Sequence, residues 1–451
     1  MATEDIELGR LIDEAPLSAL QVRVVALCAL AAFLDGYDIQ AIALSLPLLA
    51  QHYHRPPGDF VVAITASLAG MATGAILLAP LADRWGRKPV IVVLMVLIGL
   101  TSLAAAFTSG IYDLAGWRFA TGLGIGACIP VASTLVAEYA PRRRRAAMIT
   151  LMSCSVGFGA MIASFVAPML SAAGGWPAIF LAGGVLPLAM AALLWIVLPE
   201  SLEVLLLWRP ADPRIGKIVR AIAPAVDPAR VWASSKTVER QSVLAVLAPA
   251  YRARTLLVWL VIAMNLFVTY VIVSWLPTLM RSAGWSVAAA QRSSIITSLA
   301  GIVGGLALSW AADRGRPERV LAFGYCVTAV ALGLFLVTPP TVLYWGSLLA
   351  IAGAGSFGSQ FTLTSVTASY YPAPIRATGM GWISAAGRTG SIAGPTIIGL
   401  LMASLPPSAL LGLLTAPMLA CAAAVTLLPW ALKAGGGPPV VSAEPSLSKP
   451  A

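Results

Sequence analysis

Long apolar runs follow one another along this chain with only short polar breaks, and each reaches or approaches the ~20 residues a helix needs to cross a bilayer. Reading between Pro, Gly and charge clusters predicts spans at roughly 22–50, 59–81, 89–108, 114–140, 147–171, 176–198, 254–280, 288–312, 318–338, 342–371, 376–403 and 408–432. The expectation is an all-α membrane protein with twelve transmembrane helices. A segment over 1–21 precedes them. The one long polar stretch, 200–253, reads as a linker with short amphipathic helices, and 434–451, rich in Gly, Pro and Ser, as a disordered tail.

Composition agrees with the pattern. The chain is 59% apolar and 11% charged, against about 45–50% and 25% for soluble domains, which excludes a water-soluble enzyme. The acidic opening, Glu4, Asp5, Glu7, Asp13 and Glu14, lacks a basic n-region, so no cleaved signal peptide is expected. A net charge of +10 could suggest nucleic acid, but the basic residues are scattered between spans rather than gathered on one exposed module. With the N-terminus inside, 24 of the 29 Lys and Arg fall in cytoplasmic segments, so the positive-inside rule puts both termini in the cytoplasm. The five cysteines all lie in apolar segments without a C-x-x-C pair. No disulfide framework, zinc site or cofactor is expected.

A repeat divides the chain. Gly74-Ala-Ile-Leu-Leu-Ala-Pro-Leu-Ala-Asp83-Arg84-Trp85-Gly86-Arg87 returns as Gly304-Gly-Leu-Ala-Leu-Ser-Trp-Ala-Ala-Asp313-Arg314-Gly315-Arg316. Ala137-Glu138-Tyr139-Ala140-Pro141 with Arg145 returns as Ala368-Ser369-Tyr370-Tyr371-Pro372 with Arg376 at nearly the same offset. Two six-helix halves, 22–199 and 254–433, follow. Such halves suit a substrate site at their interface, reached from alternate sides by rocking. The stretch Gly74 to Val90 resembles the loop between helices two and three of the major facilitator superfamily, and Pro199-Glu200-Ser201 resembles its motif after helix six. The resemblance runs from Val22 to Leu432.

Charges inside the membrane point to the chemistry. Asp35 and Asp38 lie near the middle of the first span, and their i, i+3 spacing puts both carboxylates on one face. Each costs about 2.5–3.5 kcal/mol at mid-helix, so they require a wet cavity, cationic partners or a bound proton. Arg118 and Arg388 are the candidate partners. Arg388 reads as close to the midplane, Arg118 as near enough to the outer end of its span to be reached from the interface. The expected division of labour has the aspartates carrying the proton and Arg388 gripping an anionic substrate through its planar fork. His52 and His54 fall in the first outer loop and take no part.

Here the likeness narrows to the aromatic acid:proton symporter family. The chain resembles it in Asp35-Gly36-Tyr37-Asp38, in Trp117 to Gly124, in Glu138 to Arg145, and in Ile375 to Trp382 followed by Gly387-Arg388 and Gly394-Pro395. Span four departs from the pattern, with Pro130-Val131-Ala132 where the family has Pro-Asn. The resemblance implies uptake of a benzoate-like carboxylate with protons, with nicotinate or a small dicarboxylate as the other reading. It implies functional positions at Asp35, Asp38, Arg118, Glu138, Arg376 and Arg388, with Glu138 grouped with the proton-coupling acids. Partners would be the carboxylate, protons and the bilayer, for a monomeric carrier in the cell inner membrane.

An aromatic ligand asks for flat apolar walls with a few donors. Tyr37, Tyr270 and Trp382, with Phe158, Trp275 and Phe361, lie at mid-helix depths, and Asn265, Gln360, Ser359 and Thr364 add polar atoms. Asn265 and Gln360 stand out, because an amide in hydrocarbon must find a partner. Gly353-Ala-Gly355-Ser-Phe-Gly358 matches G-x-G-x-x-G but has no strand before it, so dinucleotide binding is rejected. With Gly122, Gly124 and Gly126 it reads as close helix approach. On the cytoplasmic side Asp83, Arg84, Arg87, Arg145, Asp313 and Arg376 are the gating candidates, with Asp83 placed to cap the start of span eleven when that side is closed.

Overall fold

The computed structural model describes residues 6–224, 226–232, 246–367, 370–371 and 373–434. The chain is helical almost throughout. Its first part holds α1 (Leu8–Glu14), α2 (Ala19–His52), α3 (Val61–Leu77), α4 (Leu81–Trp85), α5 (Arg87–Ala105), α6 (Ile111–Tyr139) and α7 (Arg142–Val197). Two short helices, α8 (Leu202–Trp208) and α9 (Pro213–Ile222), come next. The second part holds α10 (Pro249–Ser282), α11 (Val287–Arg314), α12 (Pro317–Leu334), α13 (Val342–Thr367), α14 (Ala373–Leu401), α15 (Pro407–Leu413) and α16 (Thr415–Ala434). Sequence periodicity did not anticipate the two-residue strands β1 (Ile6–Glu7) and β2 (Val231–Trp232), which pair in parallel and tie the N-terminal segment to the linker.

Ten segments among the described residues are long and apolar enough to cross a membrane. One of them, α7, spans 56 residues, about 84 Å at ~1.5 Å per residue and far more than one crossing requires. Its backbone leaves helical geometry at Gly174 and Gly175, so two helices meet there. Gly175 has φ of 68°, a left-handed conformation that glycine adopts without a Cβ penalty.

Local chemistry fixes the ends. Ser18 and Gln21 form a capping box at the start of α2: the Gln21 N–H donates to the Ser18 hydroxyl at 3.3 Å and the Ser18 N–H to Gln21 Oε1 at 2.8 Å. The spare Gln21 amide donates to the Tyr139 carbonyl at 2.8 Å, pinning the first turn of α2 to the end of α6. Glycines govern how close the helices come. A Cβ on Gly36 would run into the Val156 backbone of α7, and one on Gly126 into the Met71 backbone of α3. In α13, Gly353 and Gly358 lie against the backbones of Thr297 and Gly304 in α11. The glycine run read as a packing device is one.

The helices before Ser201 pack chiefly on one another, as do those after Ala248. Between the two groups, α2 meets α10, α7 meets α11, and α3 meets α14. Among the described residues, the hydrogen bonds across this boundary are Gln40 Nε2 to Ser294 at 3.0 Å, Gln291 Nε2 to the Leu44 carbonyl at 3.0 Å, Ser171 to Gln291 at 3.4 Å and Thr65 to Thr396 at 2.8 Å. All lie toward the face that carries His52, Phe60 and Trp176. Arg84, Arg87, Arg142 and Glu200 occupy the other, basic face, where no hydrogen bond joins the two groups among the described residues. The described hydrogen bonds between the two groups therefore gather toward one face.

Candidate functional site

Asp35, Asn265 and Arg388 sit near the middle of α2, α10 and α14, the depth expected of an intramembrane site. The two aspartates have different surroundings. Asp38 is fully buried and clamped: Arg118 Nη1 reaches its Oδ2 at 2.9 Å, the Ser102 hydroxyl reaches Oδ1 at 2.6 Å, and Arg118 Nη2 reaches its carbonyl at 3.1 Å. Phe180 lies 5.8 Å from the guanidinium, which shields the pair. Arg118, expected within reach of the interface, is instead wholly enclosed between α2, α3 and α6. The reason is partnership, since a charge held by a carboxylate has no need to reach the headgroups.

Asp35 is equally buried, but neither carboxylate oxygen meets an N–H or O–H donor or a cation. Its polar neighbour is the Cys128 thiol on α6, a weak donor. Of the two candidate partners, Arg118 takes Asp38, and neither aspartate pairs with Arg388 among the described residues. Gly36, between them, presses α2 against α7 and turns this face of the helix inward.

The second group carries further unpaired polar atoms. Asn265 donates to the Ser356 carbonyl at 3.1 Å, tying α10 to α13, and its Oδ1 is left without a partner. Gln360 Oε1, Ser359 Oγ and Thr269 Oγ1 are likewise buried and unsatisfied. Arg388 is half-buried and enters no ion pair among the described residues. Trp382, 38% exposed, stacks on Trp259 with ring centroids 5.7 Å apart. Trp259 was not singled out from the sequence, because a tryptophan in an apolar run carries no signal until its neighbour is known.

Several aromatic candidates turn out to be packing. Tyr37 is buried and donates to the Ile179 carbonyl at 3.1 Å, so it faces α7 and not a ligand space. Trp275 is sealed with its indole N–H on the Pro395 carbonyl at 2.8 Å. Tyr270 and Phe158 remain partly accessible. The side chain of Phe361 lies outside the described residues.

On the basic face Arg87 is the hub. It reaches Asp83 at 2.8 Å, the Ala82 carbonyl at 2.8 Å and Glu138 at 2.9 Å. Glu200 Oε1 accepts from the backbone N–H groups of Arg87 and Lys88 at 2.8 and 3.1 Å, capping the start of α5. Gly86, at φ of 103°, makes room for that carboxylate. Glu138 thus belongs structurally to this cluster, not to Asp35. Asp83 is 73% exposed and its partner is Arg87. Among the described residues Arg145 reaches only the Ala140 carbonyl, at 3.3 Å, while Arg84 and Asp313 are exposed. The side chain of Arg376 lies outside the described residues. A cavity of about 210 Å³ opens beside the hub, lined by Ala75, Ala79, Asp83, Arg87, Pro130 and Thr134. It touches neither Asp35 nor Arg388.

Residues 28–395 match the family model of the major facilitator superfamily. The chain is 37% identical to a 4-hydroxybenzoate transporter of Pseudomonas aeruginosa over 400 residues, covering 88% of this chain and 89% of that one. It is 34% identical to a gallate transporter of Pseudomonas putida, covering 88% and 89%. Its fold is similar to an inward-open xylose transporter from E. coli, with a TM-score of 0.70 at 16% identity over 90% of this chain and 95% of that one.

Proposed function

We propose, from the premise that this chain belongs to the major facilitator superfamily and to its aromatic-acid branch, that it imports a benzoate- or hydroxybenzoate-type carboxylate together with protons. The chain would cross the inner membrane twelve times, counting α7 as two passes and α14 as one, with both termini in the cytoplasm. Its two halves, 22–199 and 254–433, joined by the 200–253 linker, would rock about a central site.

The observation that carries the reading is the unpartnered Asp35 carboxyl. Of the two mid-membrane aspartates, Asp38 has its charge met by Arg118, whereas Asp35 has no cation or strong donor. An ionised carboxylate in that setting is costly, and a bound proton removes the cost. Asp35 is therefore the proton carrier, and Asp38 with Arg118 fixes the helix around it. Arg388 receives the substrate carboxylate, with Asn265, Gln360 and the Trp259–Trp382 stack supplying donors and a flat wall. Proton and substrate sites then lie in different halves, and coupling runs through the α2–α10 contact. Importing a monoanion against a negative interior costs about 2.3 kcal/mol per 100 mV, which one accompanying proton cancels.

The test uses proteoliposomes with an imposed pH gradient and labelled benzoate, 4-hydroxybenzoate and nicotinate. Gradient-driven accumulation of the two benzoates is expected, falling as external pH rises. Asp35→Asn should abolish accumulation while leaving benzoate exchange intact. Accumulation by Asp35→Asn at the unsubstituted rate overturns the assignment of the proton, and a preference for nicotinate overturns the substrate class.

A further inference from the structure

Three arginines are almost fully buried among the described residues: Arg87, Arg118 and Arg254. Two have carboxylates, Arg87 on Glu138 and Asp83, Arg118 on Asp38. Arg254 has none. It is 6% exposed, its Nε has no hydrogen-bond partner, and it enters no ion pair among the described residues. The Tyr251 ring covers it, with the centroid 4.2 Å from the guanidinium carbon, and the Tyr371 hydroxyl lies nearby.

A guanidinium buried at Nε, open only at its terminal nitrogens and without an anion, is a charge that a ligand arriving at that opening can meet. The surroundings favour a negative guest. Arg254 lies in the second turn of α10, whose first-turn N–H groups carry partial positive charge and whose N-cap, Ala248, has no side-chain cap. The neighbouring Thr255 hydroxyl is held in place, donating to the Val246 carbonyl at 2.8 Å and accepting from Tyr371 at 3.1 Å. Along α10, Arg254 stands eleven residues nearer the basic face than Asn265, about 16 Å at ~1.5 Å per residue.

We propose that Arg254 forms a second oxyanion site at the basic-face mouth of the second half, where the carboxylate of the transported acid binds on its way from Arg388 to the cytoplasm. This rests on the transport reading above. The phosphate of a membrane lipid offers the same chemistry, and the experiment separates the two sources.

The full chain is purified and placed in zwitterionic vesicles as the natural sequence, Arg254→Met, Arg254→Lys and Arg388→Met. Thermal midpoints are read with and without benzoate, with inorganic phosphate, and with added anionic phospholipid. The half-saturating benzoate concentration is read from each face. Arg254→Met is expected to raise the anion-free midpoint, because an unpaired charge has left the interior. It should also raise half-saturation from the basic face about tenfold, as loss of a charge-assisted contact implies, and more than from the opposite face; Arg254→Lys should recover part of this. Phosphate should still stabilise Arg388→Met but not Arg254→Met, and the response of Arg254→Met to benzoate should be that of the Arg388 site alone. If Arg254→Met loses stability without anion, as removal of a paired arginine would cause, and half-saturation is unmoved, the site is refuted. If only anionic phospholipid gives an Arg254-dependent shift, the guest is a headgroup and the exit station is refuted. A carrier that moves no aromatic acid but keeps the phosphate shift at Arg254 refutes the transport reading and leaves the anion site standing.

Discussion

At the scale of single residues the interior follows one rule: a buried charge is met by a fixed partner, or it is where a mobile ligand binds. Asp38 and Arg118 are the fixed case. Asp38→Asn leaves the Arg118 charge enclosed, so a loss of about 3–5 kcal/mol in unfolding free energy is expected, and Asp38→Asn with Arg118→Leu should restore much of it. Thermal unfolding of the three proteins checks this; equal losses in the single and double variants would mean that the pair carries no mutual term. Asp212 supplies a contrast outside the membrane. The Arg214 guanidinium and backbone N–H bind its carboxyl and pull it down to about 2. A depressed folded value means that the contribution is complete above the unfolded value of about 3.9 and is lost only as pH falls toward 2. The start of α9 therefore stays capped across pH 5–8, and Asp212→Ala should leave the pH profile of uptake unchanged. Both mid-membrane acids were legible in the sequence as residues. Which one is neutralised was not, because the partner sits eighty positions away on a helix whose rotation only packing decides.

At the scale of elements, the glycines do what charge patterns cannot: they set how close two helices run. Gly36→Ala puts a Cβ into the Val156 backbone, and the resulting shift of α2 against α7 should cost about 1–3 kcal/mol or more. Gly116→Ala in α6 is the matched control. A Cβ there meets nothing within 4 Å, so helix propensity alone acts and favours alanine by up to about 1 kcal/mol. Opposite signs in thermal midpoint are expected, and like signs would remove close approach as the role of Gly36. The same distinction explains what could be read in advance. Apolar runs gave helix positions to within a few residues, since burial in lipid needs only composition. They divided the run from Arg142 to Val197 between 171 and 176, where it breaks at two glycines, but could not show that β1 meets β2 or that Glu200 caps α5 rather than merely ending a motif. Those depend on which elements become neighbours. Arg254 and Trp259 went unremarked for the same reason: one read as linker charge, the other as one more apolar residue.

For the whole molecule, the two faces are built from different materials. The basic face is charged, and no hydrogen bond joins the two groups there among the described residues. The opposite face is closed by amides and hydroxyls, with Gln291 at the centre bonding both the Leu44 carbonyl and Ser171. Neutral hydrogen bonds are little affected by salt, and each contributes about 0.5–1.5 kcal/mol net. A closure of this kind is firm enough to hold and weak enough to release when the charged face locks instead. Removing both Gln291 bonds should move the equilibrium by about 1–3 kcal/mol, roughly 5- to 150-fold, toward the state open at the His52 face. Two reporters read the shift in a background with the five native cysteines replaced: Ser45→Cys, enclosed on α2 at the closed face, and Thr134→Cys, in the cavity beside Arg87. With Gln291→Ala, an impermeant thiol reagent should label position 45 faster and position 134 more slowly. Alternating access requires the two changes to be reciprocal, because one rocking motion opens one face as it shuts the other. Faster labelling at position 45 with no change at 134 would mean that Gln291 closes a local lid, with the halves moving independently of it.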